Sequence, residues 1–326
     1  VGKGPLLELQ WLGGGTQNLL LRFVRGGSAY VLRRPPRHPR PDSDAAIRRE
    51  ARVLQALTDT VVPHPRLVAA CDKADVLGTA FFVMEAVDGF NPGTQGLPAL
   101  HVGDARIRHR MGLAMAEAIA RLGQLDPQAL GLGDVGRPDG FLQRQVRRWR
   151  EQLASYDAFA GWPGPGGLPD VEPIARWLNE HLPEAATPGL LHGDFHLSNV
   201  LFRHDGGELA AVVDWELATV GDPLLDLGWL LATWPRSDGS HHLSLPIAPW
   251  QGFPVAEELI EHYAACSPRD VSAAHWYAVL ACYKLAIVLE GTHARACAGL
   301  APAATGERLH KAARGLLLRA IEWIGA

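Results

Sequence analysis

Lysine is scarce in this sequence: only four of the 31 basic residues are Lys, and the other 27 are Arg. Acidic residues number 35 in the 326-residue chain, which gives a formal net charge of −4. Proteins that bind DNA or RNA usually carry a stripe of basic residues, and a net negative charge gives no indication of one. We therefore expect no nucleic-acid partner.

Cysteine is equally sparse, and long apolar runs are missing. The four Cys residues are far apart and form no Cys-x-x-Cys pair, so neither a zinc site nor a disulfide framework is indicated. The longest apolar stretch, around 277–289, is interrupted by Lys284, and no apolar signal segment follows Val1. We expect a cytoplasmic protein with reduced thiols and no membrane partner.

Several nucleotide-binding and hydrolase motifs are also missing. No Lys is followed by Ser or Thr as a P-loop requires, and no Gly-x-Ser-x-Gly elbow occurs. The glycine pattern GLGDVG at 131–136 follows no apolar strand, so it does not indicate a dinucleotide fold. His192 and His196 have i,i+4 spacing but enclose Gly-Asp-Phe, which is a poor helix for a zinc protease site.

The first part of the chain has the pattern of a small antiparallel sheet with one helix. Residues 6–34 alternate between apolar strands and Gly-rich turns, and residues 42–57 have helical apolar spacing after capping candidates. Two more strand candidates, PHPRLVAAC and TAFFVMEAV, follow before DGFNPG breaks the pattern. We predict a five-stranded, one-helix unit over residues 1–88.

The remainder, residues 89–326, is predicted to be mainly helical. Helices are expected at 104–122, 140–155, 171–182, 252–265, 270–298 and 305–324. One β-like island interrupts them, formed by GLLHGDFHLSNVLF and GGELAAVVDWELA with a turn at 205–207. The fold class is therefore α+β, with a small sheet lobe and a larger helical lobe.

Polar side chains gather at the strand ends of this island. Asp194 is followed five residues later by Asn199, and Asp214 comes fifteen residues after that. Phosphoryl transfer needs a carboxylate that accepts or orients the proton of the attacking hydroxyl, and hard oxygen ligands that hold Mg²⁺ against the phosphates. Asp194 suits the first role, and Asn199 and Asp214 suit the second.

The segments HGDFHLSNVLF and VVDWELA resemble the catalytic and metal-binding loops of the aminoglycoside phosphotransferase and choline kinase family, which are relatives of the protein kinases. The resemblance implies a bilobal protein-kinase-like fold, ATP and Mg²⁺ as cofactors, and a small-molecule hydroxyl as acceptor. It assigns Asp194 and His192 to the catalytic loop and Asn199 and Asp214 to the metal. GDPLLDLGWLL continues the likeness, and we expect Asp226 to hold the catalytic loop.

The small lobe supplies candidate nucleotide contacts. GGGTQN lies between the first two strands, where this family covers the nucleotide, and Gly there lets the backbone approach phosphate. FFVMEAVDG resembles the interlobe hinge at about 85–91, which offers backbone groups to adenine. The predicted contacts in these two segments are Gly14, Gly15, Thr16, Asn18, Glu85 and Val87.

One departure from the family concerns the third strand, which should present a Lys to the phosphates and to a helix Glu. VLRRPP offers Arg33 or Arg34 instead, and Glu50 lies seventeen residues after Arg33 on the predicted helix. Alternation from Tyr30 and Leu32 favours Arg33. An Arg can form the ion pair and bind phosphate, although its planar fork differs from a Lys point charge.

The whole chain resembles the kinase-like domain of the acyl-CoA dehydrogenase family 10/11 proteins and bacterial stand-alone phosphotransferases. The segments that carry this likeness are YVLRRPP, REARVLQAL, GTAFFVMEAVDG, FLQRQVRRWREQL and YKLAIVLEGTHAR. In this subgroup the resemblance implies a hydroxyacyl thioester, such as a hydroxyacyl-CoA, or a hydroxy acid as acceptor. The oligomeric state is not indicated.

Lys284 lies among apolar residues of a predicted helix, so its ammonium must either form an internal ion pair or reach a cavity. In the second case Lys284 binds an anionic acceptor, with Arg295 and the basic run at 144–150 as further candidates. Glu216 is a further candidate for contact with metal or substrate. This pattern disfavours a polycationic aminoglycoside. A catalytically silent nucleotide-binding module and an aminoglycoside- or choline-type kinase are the alternatives.

Overall fold

The first lobe of the computed structural model, residues 3–88, is a five-stranded antiparallel sheet in the order β1-β2-β3-β5-β4. The structure describes residues 3–13, 18–39, 41–184, 186–240 and 247–325. The strands are β1 Leu7–Leu12, β2 Leu19–Arg25, β3 Ser28–Arg34, β4 Leu67–Cys71 and β5 Phe81–Glu85. Helix α1, Ser43–Leu57, is the one helix among the described residues of this lobe, as predicted.

Apolar spacing explains how α1 packs on the sheet. Ile47, Ala51 and Leu54 recur at intervals of three and four residues and are buried, as is Glu50 on the same face. Strands β2 and β3 are joined tightly because Gly26 and Gly27 both have positive φ, which a two-residue hairpin turn requires. The packing of α1 on the sheet places Glu50 next to Arg33 of β3.

The second lobe, residues 89–325, is mainly helical. Its helices are α2 Pro92–Gln95, α3 Ala99–Gly103, α4 Ala105–Gly123, α5 Phe141–Ala154, α6 Val171–Glu180, α7 Leu224–Thr233, α8 Ala256–Cys266, α9 Ala274–Cys297 and α10 Ala303–Ile324. Two short antiparallel pairs lie among them: β6 Gly189–Leu191 with β9 Thr219–Gly221, and β7 Val200–Phe202 with β8 Leu209–Val212. The predicted division at residue 88 falls between Glu85, where β5 ends, and Phe90, which bridges to Phe202.

Helix α9 occupies the centre of the large lobe and is buried on nearly all sides. It packs between α7 and α10, and Arg319 of α10 donates to the Leu231 carbonyl of α7 at 2.9 Å. Helix α7 was not predicted, because LLDLGWLLAT is apolar all round and shows no helical alternation. None of the helices in the described ranges has the length and apolar character needed to cross a membrane.

Candidate active site

The segment after β6 carries Asp194. Asn199 ends the one-turn helix Leu197–Asn199, and its Nδ2 donates to Asp194 Oδ2 at 3.1 Å and to the Asp194 carbonyl at 2.9 Å. Nε2 of His196 lies 3.4 Å from the other Asp194 oxygen. The Asp194 side chain remains 28% exposed, so a hydroxyl group from outside can reach it.

The charge environment keeps Asp194 ionised. Burial raises its pKa, but the contact with His196 and the nearby charge of Lys284 oppose this effect, and the net pKa lies below its usual value. A carboxylate in this state accepts a hydrogen bond from an acceptor hydroxyl at neutral pH. It can therefore orient that hydroxyl and receive its proton.

His192, which the sequence predicts to belong to the catalytic loop, is completely buried. Its Nδ1 accepts from the Asp194 N–H at 3.3 Å, and its Nε2 lies 2.9 Å from the Val213 carbonyl. Both ring nitrogens are thus engaged by backbone, and this pattern fixes the neutral Nε2–H tautomer. His192 therefore holds the backbone at Asp194 and at Val213 in place, and both of its ring nitrogens are used in doing so.

Asp226 on α7 anchors the same loop, as expected. Its carboxylate accepts from the N–H of His192 at 2.6 Å and from the N–H of Gly193 at 2.8 Å. Burial raises the Asp226 pKa, and the two N–H donors oppose that rise. Gly193 has a φ of +84°, and a Cβ there would come within 2.5 Å of the Leu217 carbonyl oxygen, so the anchored turn requires glycine.

Asn199 and Asp214 lie next to each other, because the Val213 N–H donates to the Asn199 carbonyl at 2.9 Å. The Asn199 amide nitrogen is used by Asp194, which leaves its side-chain oxygen as the available ligand. Asp214 follows β8 with a φ of +67°, a strained conformation for a residue other than glycine, and its side chain is 37% exposed. Hard oxygen ligands of this kind fit Mg²⁺.

Arg33 connects the small lobe to this metal-binding segment. Its guanidinium lies 2.8 Å from Glu50 Oε2, 2.6 Å from Asp214 Oδ1 and 3.2 Å from Glu216 Oε2. The side chain is only 5% exposed. Arg33 therefore forms the ion pair with the helix Glu that the sequence predicts, and it contacts the predicted metal ligand as well.

The cluster holds three carboxylates around one cation. Burial raises the Glu50 pKa to about 7, against the opposing effect of Arg33, and burial together with the Asp214 charge raises the Glu216 pKa. Surplus negative charge of this kind is relieved by an additional cation. The electrostatics thus agree with the donor chemistry in fitting a divalent hard metal ion.

Glu216 joins the two lobes at a second point. Asn18 Nδ2 donates to Glu216 Oε2 at 2.8 Å, and Arg49 of α1 donates to the Glu216 carbonyl. Of the four nucleotide contacts predicted in the phosphate-covering segment, Asn18 is the one that the described residues include. The other three predicted residues, Gly14, Gly15 and Thr16, lie outside the described residues.

The predicted hinge begins at the end of β5. The Glu85 N–H donates to the Arg66 carbonyl at 3.0 Å, so of its two backbone groups only the carbonyl could serve a nucleotide. The Glu85 side chain forms an ion pair with Arg66 on the surface. Val87 follows two residues later in the segment that enters the large lobe, and the adenine contact of both residues stays a prediction.

Lys284 of α9 also reaches the catalytic loop. Its Nζ lies 4.3 Å from the ring centre of Trp229 and 5.6 Å from that of Trp149, and it donates weakly to the Gly193 carbonyl at 3.5 Å. Within the described part of the chain, no carboxylate oxygen lies within 4.0 Å of this ammonium. Of the two alternatives for Lys284, the internal ion pair is therefore not what the described residues form.

The other basic residues predicted to bind the acceptor differ in how far they lie from Lys284. Arg295 is exposed and lies eleven residues beyond Lys284 on α9, roughly 16 Å along the helix, so it does not join the site. In the basic run, Arg144 bonds to nearby carbonyls and Arg150 pairs with Glu172. Arg148 differs, because its guanidinium stacks at 5.2 Å over Trp149, the ring that Lys284 also faces.

Three contributors were missed by sequence reasoning. Trp149 and Trp229 come from different helices and meet only in the fold, so no local pattern could show that they enclose Lys284. His196 was considered only as a metal ligand. Its position two residues after Asp194 was the available signal for a contact with that carboxylate.

Comparison with known proteins agrees with this geometry. Residues 8–264 match the model of the phosphotransferase enzyme family APH, and the chain belongs to that family. Membership supports a phosphotransferase that acts on a small molecule. A structure named as an aminoglycoside phosphotransferase, from Ralstonia eutropha JMP134, has 28% sequence identity and a TM-score of 0.82, with 99% of this chain and 94% of that chain covered.

Among curated proteins, acyl-CoA dehydrogenase family member 11 of Gallus gallus is 32% identical over 97% of this chain, and family member 10 of Mus musculus is 29% identical over 94%. The chain spans only 40% and 28% of those two proteins. A complex of aminoglycoside phosphotransferase APH(4)-Ia with AMP-PNP and hygromycin B shares the fold at a TM-score of 0.60, with 16% identity and 95% of each chain covered. The predicted α+β kinase-like fold is thereby confirmed.

Proposed function

We propose that this protein transfers the γ-phosphoryl group of ATP, with Mg²⁺, to a hydroxyl group of a small molecule. The observation that carries the proposal is one connected set of contacts. Arg33 of the small lobe bonds Asp214, the residue before Asp214 bonds Asn199, and Asn199 bonds Asp194. The residues proposed for the nucleotide, the metal and the proton therefore adjoin one another.

The chemistry follows from these positions. The acceptor oxygen attacks the γ-phosphorus while the bond to the β–γ bridging oxygen breaks, ADP leaves, and the hydroxyl proton passes to the Asp194 carboxylate. Asn199 Oδ1 and the Asp214 carboxylate would hold Mg²⁺, which neutralises phosphate charge when bound. Arg33 and Asn18 would contact the phosphates from the small lobe.

For the acceptor we propose a hydroxy acid or a hydroxyacyl thioester such as a hydroxyacyl-CoA. Lys284 and Arg148 favour an anionic group beside the catalytic loop, since neither forms an ion pair with a residue in the described ranges. The curated relatives carry the name acyl-CoA dehydrogenase, which fits an acyl acceptor. An aminoglycoside or choline-type cation would be repelled by the same two side chains.

The experiment measures ADP release with Mg²⁺ against a panel of acceptors: hydroxyacyl-CoAs, free hydroxy acids, ethanolamine and choline, sugars and aminoglycosides. We expect turnover with the acyl acceptors and none with the cationic ones. Turnover with cationic acceptors only would contradict the acceptor class. Tight ATP binding without turnover on any acceptor would instead favour a silent nucleotide-binding module.

A substitution pair tests the proton acceptor. Asp194→Asn should abolish turnover and spare ATP affinity, because the amide cannot take a proton. Asp205→Asn is the matched control, since Asp205 is an exposed Asp that pairs with Arg203 in the turn after β7. Retained activity in Asp194→Asn would remove Asp194 from this role.

A further inference from the structure

His196 lies beside the proposed proton acceptor, Asp194. Its Nε2 atom is 3.4 Å from Oδ1 of Asp194, and its side chain is 25% exposed. The second carboxylate oxygen, Oδ2, accepts from Nδ2 of Asn199 at 3.1 Å. Each oxygen of Asp194 therefore has its own neighbour, and both neighbours belong to the short segment that follows Asp194 in the chain.

The backbone of this segment determines which ring nitrogen of His196 carries a proton. His196 is the N-cap of the one-turn helix Leu197–Asn199, and its Nδ1 accepts from the N–H of Ser198 at 3.2 Å. An accepting Nδ1 holds the lone pair, so in the neutral imidazole the proton is on Nε2. A carboxylate only accepts hydrogen bonds, so this tautomer is the one that lets His196 donate to Asp194.

Asn199 does not compete for Nε2 of His196. Its Nδ2 also lies 3.4 Å from that atom, but Nδ2 already donates to the Asp194 carbonyl at 2.9 Å and to Asp194 Oδ2 at 3.1 Å. An amide nitrogen has two hydrogens, and these two contacts use both. The Nε2–H of His196 therefore remains available to Oδ1 of Asp194.

We infer that His196 is a positioning residue of the proposed phosphoryl transfer, on which this inference rests. It donates from Nε2 to one oxygen of Asp194 and, with Asn199 on the other oxygen, keeps the carboxylate turned toward the acceptor hydroxyl. A distance of 3.4 Å is long for a hydrogen bond, and contacts of this kind shorten when substrate binds. Because Nδ1 is engaged by Ser198, His196 orients Asp194 and does not pass its proton on.

Two substitutions of similar shape separate the two ring nitrogens. The side-chain oxygen of Asn takes the place of Nδ1, so His196→Asn keeps an acceptor for the Ser198 N–H and removes the donor to Asp194. The side-chain nitrogen of Gln takes the place of Nε2, so His196→Gln keeps a donor for Asp194 and removes the acceptor for Ser198. The two variants therefore divide the orienting contact from the helix cap.

We expect His196→Asn to lower kcat at least tenfold with an unchanged KM for ATP and an unchanged melting temperature, because misplacing a reacting group slows the chemical step. His196→Gln should keep kcat within about threefold and have a lower melting temperature, because the cap is lost. A merely structural role predicts the reverse, with His196→Gln the less active variant. His204→Asn is the matched control, since His204 is exposed and lies 3.7 Å from Asp88.

The tautomer of His196 provides a readout that needs no turnover. Long-range proton–nitrogen NMR spectra of the isotope-labelled chain, with His196→Asn used for assignment, should show the His196 proton on Nε2. A proton on Nδ1 would overturn the inference. Full kcat of His196→Asn would overturn it as well and leave the proposed function intact, whereas absence of turnover by the unsubstituted chain on every acceptor contradicts the proposed function itself.

Discussion

Nη2 of Arg33 lies 2.6 Å from Oδ1 of Asp214, so the strand residue that replaces the expected Lys bonds directly to the predicted metal ligand. A Lys ammonium is a single point of charge, whereas the guanidinium presents a planar fork. The fork lets Arg33 contact Glu50 through Nε and reach Asp214 and Glu216 through Nη2. The substitution thus couples the small-lobe helix to the metal-binding segment through one side chain.

The first prediction concerns this side chain. Arg33→Ala should weaken ATP use at least tenfold in kcat/KM and destabilise the fold by about 3–5 kcal/mol, because Glu50 is left buried without its partner. Steady-state kinetics with varied ATP and urea unfolding measure the two effects. The control is Arg34→Ala, since the Arg34 Nε donates to the carbonyl of its neighbour Pro35. Unchanged KM and kcat in Arg33→Ala would discard the assignment.

The second prediction assigns Glu216 to the contact between the lobes. Glu216→Ala should raise KM for ATP by roughly tenfold, about 1.4 kcal/mol, with a smaller effect on kcat, because Asn18 and Arg33 lose a shared partner. Glu216→Gln should lie in between, since an amide oxygen still accepts from Asn18. A loss confined to kcat, with KM for ATP unchanged, would instead indicate contact with metal or acceptor.

The third prediction is a pH dependence of stability. Burial lowers the Lys284 pKa from 10.5 to about 8, so between these values the unfolded chain binds more protons than the folded chain. Stability relative to Lys284→Met should therefore rise as the pH rises from 8 to 10.5, by at most about 3 kcal/mol. Urea unfolding of both proteins at pH 7.5 and 10 tests this. Lys311→Met, on the exposed face of α10, should show no such trend.

The fourth prediction concerns activity at the same residue and rests on the proposed anionic acceptor. The value of kcat/KM for that acceptor should fall as the pH rises through about 8, because the neutral amine no longer attracts an anion. Lys284→Met should have a lower kcat/KM and should lose this step in the profile. A step that persists in Lys284→Met would assign the titration to another group.

The fifth prediction tests the anchored loop. Gly193→Ala should lower kcat at least tenfold and cost about 1–3 kcal/mol of stability, because a Cβ meets the Leu217 carbonyl and the residue has positive φ. Gly206→Ala is the control, since a Cβ at that turn meets no atom within 4 Å. Full activity of Gly193→Ala would show that the loop tolerates displacement.

The sequence predicted those features that depend on local spacing. The strands of the small lobe, helix α1 and most large-lobe helices follow from periodicity, with ends shifted by a few residues; the predicted helix at 252–265 begins only at Ala256, after Pro254. Asp194 and Asn199 adjoin because they share one short loop. Alternation correctly selected Arg33 over Arg34 as the partner of Glu50.

Features that depend on distant contacts were not predictable. The pairing of β6 with β9 closes the catalytic segment across 27 residues of intervening chain, and a three-residue strand has too little pattern to reveal its partner. The tryptophans around Lys284 come from α5 and α7. Arg295 was selected by its charge alone, and only the length of α9 shows that it is too distant.

The contact of Arg319 with Leu231 relates the last helix to the catalytic loop. Helix α10 supports α7, α7 carries Asp226, and Asp226 holds the backbone of His192 and Gly193. During synthesis on the ribosome, the site at Asp194 cannot therefore reach its final form until α10 has emerged. A protein shortened within α10 would lose order in a loop more than a hundred residues upstream.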